Sequence, residues 1–187
     1  MNILGIIASS RLAAAGDFES IATVTVGSGG AASATFSSIP GTYTHLQIRA
    51  SARTNRGDFQ DVVGIKYNSD TGTNYNWHYI VGDGASASAN AGTTTATNWG
   101  ALVGGNSVNA STFGGFVLDI LDYANTNKYK THRTLSGVDN NDTNGRILLM
   151  SGAWRNTNAI TSIELYPAFG SLFNQYSSFA LYGIKAA

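Results

Sequence analysis

A chain of 187 residues with 43% hydrophobic content has enough apolar material for one core and little for a second, so a single compact domain is expected. Only 12% of residues are charged, 11 basic against 11 acidic, and no basic run exceeds an isolated pair such as Lys128 and Lys130. That excludes the electrostatic footprint nucleic-acid binding needs. Cysteine is absent, which excludes disulfide staples, thiolate metal sites and cysteine nucleophiles.

The apolar opening, Met1 to Ala8, is far shorter than the roughly 20 residues a membrane span takes. Its first basic residue, Arg11, follows the apolar run, the reverse of a signal peptide, so the segment is expected to belong to the mature protein. Residues 1–18 are read as an extended arm. A lone helix cannot bury Ile3, Leu4, Ile6 and Ile7, so they are expected to dock on the domain or on a neighbouring subunit. Each could contribute about 1.5–3 kcal/mol on burial.

Residues 19–187 are expected to form one all-β domain. From Ser20 onward the chain alternates with period two in short bursts, and no window of a dozen residues carries a 3.6-residue apolar stripe. Ile21 to Val26 and Ala32 to Ser37 flank Gly27-Ser28-Gly29-Gly30 and read as a hairpin. Ile39-Pro40-Gly41 reads as a type II turn, proline fixing φ at its first central position and glycine taking the left-handed second. In Tyr43 to Ala52, Leu46, Ile48 and Ala50 share one side while His45, Gln47 and Arg49 share the other, giving a strand with one buried and one wet face.

Further strands are expected at Val62 to Tyr67, Asn74 to Val81, Phe113 to Leu121, Lys128 to Leu135, Arg146 to Trp154, Ile160 to Tyr166 and Ser178 to Ile184, each bounded by turn-forming residues. Gly82 to Asn98, rich in Ala, Ser, Thr and Gly, reads as a long exposed loop that orders against a neighbour. Nine or ten strands without crossover helices point to an antiparallel β-sandwich of jelly-roll type, with an open barrel as the alternative.

Few residues suggest chemistry. His45, His78 and His132 each fall within a strand and read as polar outward residues, unaccompanied by a nucleophile elbow or a second histidine on the same element. Glycoside cleavage needs two carboxylates about 5 to 10 Å apart. Asp119 and Asp122 are the nearest pair but face opposite sides of a strand, and Glu19 and Glu164 lie on distant segments. Asp139 to Gly145 alternates oxygen ligands like a calcium loop yet lacks its sixth-place glycine and closing glutamate, so it reads as a hairpin turn before a weak cation site. No cofactor or metal is expected, and no catalytic residue is nominated. Tyr75, Trp77 and Tyr79 share one face, with Trp99 and Trp154 adding aromatic area. These rings read as core, and exposure of Trp77 or Trp99 would instead make a sugar-stacking platform.

Three segments carry a resemblance: Leu4-Gly5-Ile6-Ile7-Ala8-Ser9; Ser20-Ile21-Ala22-Thr23 with Ser38-Ile39-Pro40 and Tyr43-Thr44-His45-Leu46; and Ser178-Phe179-Ala180-Leu181-Tyr182-Gly183-Ile184-Lys185. Together they resemble small jelly-roll virion proteins of tailed bacteriophages, at both ends of the chain and thinly between about Asn55 and Asn158. The resemblance implies a non-enzymatic structural protein located in the virion: a capsid decoration or cement protein, often a homotrimer, contacting other subunits such as the major capsid protein. Its alternative is a tail-fibre or spike module recognising host surface glycan through Trp77 and Trp99. An enzyme degrading host polysaccharide would need a convergent acid pair that no segment supplies.

Overall fold

The computed structural model describes residues 16–140 and 144–185. Among them are twelve strands and no α-helix: β1 (Phe18–Thr25), β2 (Ala34–Phe36), β3 (His45–Ala52), β4 (Gln60–Tyr67), β5 (Tyr75–Gly82), β6 (Ala87–Thr95), β7 (Asn98–Gly104), β8 (Gly114–Leu121), β9 (Lys130–Asp139), β10 (Gly145–Trp154), β11 (Ile163–Pro167) and β12 (Ser178–Ile184). They build two antiparallel sheets, one of eight strands in the order β1-β12-β3-β8-β9-β10-β5-β6 and one of four in the order β2-β11-β4-β7.

Period-two alternation places the core between the sheets. Leu46 and Ile48 of β3, Leu118 and Ile120 of β8, and Phe179 and Leu181 of β12 face Val63 and Ile65 of β4, Val103 of β7 and Leu165 of β11, all fully buried. The intervening Gln47, Arg49 and Val117 point the other way.

The two sheets differ in width, and β7 lies over β8, β9 and β10 while β6 reaches beyond any cover. β6 is exposed along nearly its whole length on both faces.

Several expectations are corrected. The two segments read as a first hairpin do not pair: β1 joins β12 in the large sheet and β2 joins β11 in the small one. The glycines between them, Gly29 and Gly30, do take positive φ of 94° and 79°, but they swing the chain from one sheet to the other. Gly41 is not left-handed, and the positive φ near that reversal belongs to Ser38 at 54°. Gly82 to Asn98 is not a loop, because Ala87–Thr95 pairs with β5 as an edge strand whose weak hydrophobicity matches its lack of burial. The arm boundary also moves, since Phe18 already pairs with Ile184 within β1. The docking residues Ile3, Leu4, Ile6 and Ile7 lie outside the described residues.

Candidate functional site: the outer face of the large sheet

The feature that stands out is a strand in inverted phase. In β9 the inward positions are Lys130, His132, Thr134 and Ser136, all buried, while Leu135 points outward. Small inward neighbours make room for this polar layer. Gly152 of β10 is directly opposite His132, and a Cβ there would collide with the imidazole ring. The layer is partly satisfied. Lys130 Nζ donates to the carbonyls of Asn125, Lys128 and Thr157 at 2.6, 3.0 and 2.9 Å, and burial lowers its pKa. His132 Nδ1 lies 3.1 Å from Tyr67 Oη, and burial pushes the imidazole pKa down to about 4. Ser136 Oγ accepts from Leu102 N at 3.0 Å. His132 is therefore a buried neutral side chain rather than the outward residue expected.

The outward consequence is an apolar ladder. Register places Val117 opposite Leu135, Leu135 opposite Leu149, and Leu149 opposite Ile80, which in turn meets Ala89 on β6. Together with Ile147, the residues Ile80, Leu135 and Leu149 are 56–61% exposed, and Val117 is 39% exposed. Five large aliphatic side chains in adjoining rows of one sheet face form a contiguous apolar patch of the kind that marks a contact surface.

The neighbouring row is stripped of side chains. Ser51, Gly115, Gly137, Ile147 and Gly82 are successive cross-strand partners, so Ile147 stands beside a trench over Gly115 and Gly137. This trench, about 1050 Å³, has Arg49, Val117 and Leu135 along its side. A second hollow of about 730 Å³ lies between His78, Ala89, Arg133 and Leu149. On the other side of the ladder the row is polar: Asp119 accepts from Gln47 Nε2 at 2.8 Å and pairs with Arg133 at 3.5 Å. Asp119 and Arg133 thus neutralise each other on this face, while the Arg49 guanidinium lies over the rings of Phe18 and Tyr182.

The remaining sequence candidates hold the fold. Asp122 pairs with Lys128 at 2.5 Å and lies 3.7 Å from His45 Nδ1; Glu19 accepts from Tyr43 Oη at 2.8 Å and from Lys185 at 3.2 Å; Glu164 pairs with Lys66 at 3.2 Å. Tyr43 and Lys185 hold the Glu19 carboxyl below its ordinary pKa, and Lys128 does the same for Asp122. A carboxylate not singled out in the sequence, the fully buried Asp61, accepts from the backbone N–H groups of Val62, Phe169 and Gly170 and so pins the loop after β11. Asp139 and Gly145 pair across the end of the β9–β10 hairpin, as a turn requires, and residues 141–143 between them lie outside the described residues. Among the described residues no group of three or more His, Asp or Glu side chains could hold a metal ion.

Trp77 is 7% exposed and stacks on the half-buried Trp99 with centroids 4.2 Å apart; Tyr79 stacks on both, and Trp154 is buried. A crevice of about 220 Å³ opens beside them, and its exposed ring is Phe169, edge-on to Trp99 at 6.0 Å. Comparison with protein-family models, with curated proteins and with solved structures finds no match.

Proposed function

We propose that this chain is a structural subunit of jelly-roll type that works by packing its large sheet against neighbouring subunits, as a decoration or cement protein of a tailed-phage capsid. The observation that carries the assembly reading is the exposed ladder Val117-Leu135-Leu149-Ile80 with Ile147 beside it. An apolar surface of that size is costly to leave in water and gains when a partner covers it. The low, balanced charge fits close packing beside neighbours.

Strand order supports the jelly-roll part. With the β5–β6 and β9–β10 hairpins set aside, the strands run β1-β12-β3-β8 in one sheet and β2-β11-β4-β7 in the other. That is the alternation obtained when a long antiparallel hairpin folds across two sheets as paired Greek keys. The two added hairpins lie together and supply most of the apolar ladder, so this face is an elaboration of the sandwich. The virion part rests on the resemblance carried by the three segments at Leu4 to Ser9, Ser20 to Leu46 and Ser178 to Lys185. The glycan-binding alternative has less support, because Trp77 and Trp99 turn their faces to each other.

The test is to locate the chain by immunogold labelling and mass spectrometry of phage particles purified from its source, and to compare wild type with Leu149→Lys. We expect wild type on the shell and the variant folded but missing from it. Particles without the chain, or equal incorporation of the variant, would overturn the proposal.

A further inference from the structure

We propose that the outer face of the large sheet binds a second copy of this chain across a two-fold axis running along β9, with Ile147 of each copy seated over Gly115 of the other. The proposal rests on the assembly reading and names its partner.

The outer face of the large sheet is self-complementary. A two-fold contact uses the same patch on both copies, so every knob needs its hole on the same surface. Here β8 and β10 flank β9 at equal spacing. An axis along β9 in the contact plane therefore lays β10 of one copy over β8 of the other and keeps each cross-strand row in register. The protruding Ile147 then meets the side-chain-free Gly115, Leu149 meets Val117, and Leu135 meets its own counterpart. These three pairings set a prominent residue against a smaller one or against itself, and the same operation lays Ile80 on the aliphatic stem of Arg49.

Size and charge agree with that geometry. An axis on β9 overlaps seven of the eight strands, and with strands about 4.8 Å apart and about 3.4 Å per residue that area is roughly 800 Å², in line with the roughly 800 Å² per partner of a standard specific interface. Copies of a chain with 11 basic and 11 acidic residues do not repel as wholes, and Arg133, which lies on the axis, already has Asp119 beside it. The pair so formed is two-fold, in contrast to the trimer that the resemblance implies.

The test is sedimentation equilibrium of the full chain with two variants. Wild type is expected to dimerise. Gly115→Leu fills the trench, and the fold accepts it, since a Cβ there meets only the Ala50 carbonyl at 3.8 Å. It should dimerise about 100-fold more weakly although it adds apolar surface, with an unchanged thermal midpoint at dilutions where both chains are monomeric. General stickiness predicts the opposite sign. The absence of native cysteine permits a clean second measurement. Face-packed sheets stand about 10 Å apart, so a short bismaleimide should link Leu135→Cys to its copy. It should leave Ile80→Cys unlinked, because those positions lie roughly 20 Å apart across the axis. A trimer, an unlinked Leu135→Cys, or a Gly115→Leu chain that associates as tightly as wild type would overturn the proposal. A wild type monomeric at every concentration, with Leu149→Lys still excluded from particles, would overturn the second copy and leave the assembly reading standing. Dimers with wild type and Leu149→Lys equally incorporated would do the reverse.

Discussion

His132 shows how one residue sets both the stability and the surface of this protein. Its ring is fully buried between Tyr67 and the Gly152 backbone, and desolvation lowers its pKa from 6.5 to about 4. The folded state therefore holds neutral imidazole, while the unfolded chain takes up a proton once pH falls below 6.5. Stability from this residue is complete above pH 6.5 and is lost as pH falls towards 4, by about 3 kcal/mol in all. Urea unfolding of wild type should show that decline between pH 6.5 and 4.5, and His132→Gln should flatten it. Glu19, Asp70, Asp83 and Asp122 have lowered pKa values, so their losses come at more acidic pH and persist in both proteins. Parallel pH profiles for the two proteins would refute this role. From sequence the residue is read the wrong way round: among Thr131, His132, Arg133, Thr134 and Leu135, polarity suggests that leucine goes inward. The phase is instead set by the glycine that a neighbouring strand presents to the ring, and that is a fact of register.

At the scale of elements, the strands that alternate cleanly are those the sequence places well. Ser178–Ile184 has the expected bounds, and Tyr43 to Ala52 differs from His45–Ala52 by two residues. Such strands carry one apolar face, and burial of that face fixes both their existence and their phase. β6 escaped because Ala87–Thr95 has no apolar face and is held by its hydrogen bonds to β5. β7 escaped for the opposite reason: Asn98–Gly104 is buried on nearly every position, so it shows little alternation to detect. The pairing of β9 with β10 depends on Gly152. Gly152→Ala should therefore destabilise the domain by about 1–3 kcal/mol, the cost of overpacking a filled interior. Gly41→Ala serves as the control, since a Cβ there meets nothing within 4 Å. Equal thermal midpoints for the two variants would show that the strand interior yields more readily than its packing implies.

For the molecule as a whole, the balance of charge decides what kind of association to expect. Eleven basic and eleven acidic residues leave no net field to draw copies together or hold them apart, and the contact face is dominated by aliphatic side chains around a glycine trench. Electrostatically driven contacts weaken steeply as salt rises, because screening at 0.5 M reaches within a few ångströms. Contacts made by apolar burial respond instead to temperature and to excluded salts, weakening on cooling and strengthening in sulfate. The self-association constant should accordingly change by less than about threefold between 50 mM and 500 mM sodium chloride and rise in sodium sulfate, and the dissociation followed by calorimetric dilution should show a positive heat-capacity change, the reverse of apolar burial. A steep loss of association with sodium chloride would transfer the contact from the Leu135 ladder to the charged side chains of this face, such as Asp119, Arg133 and Arg49, whose attraction salt would screen.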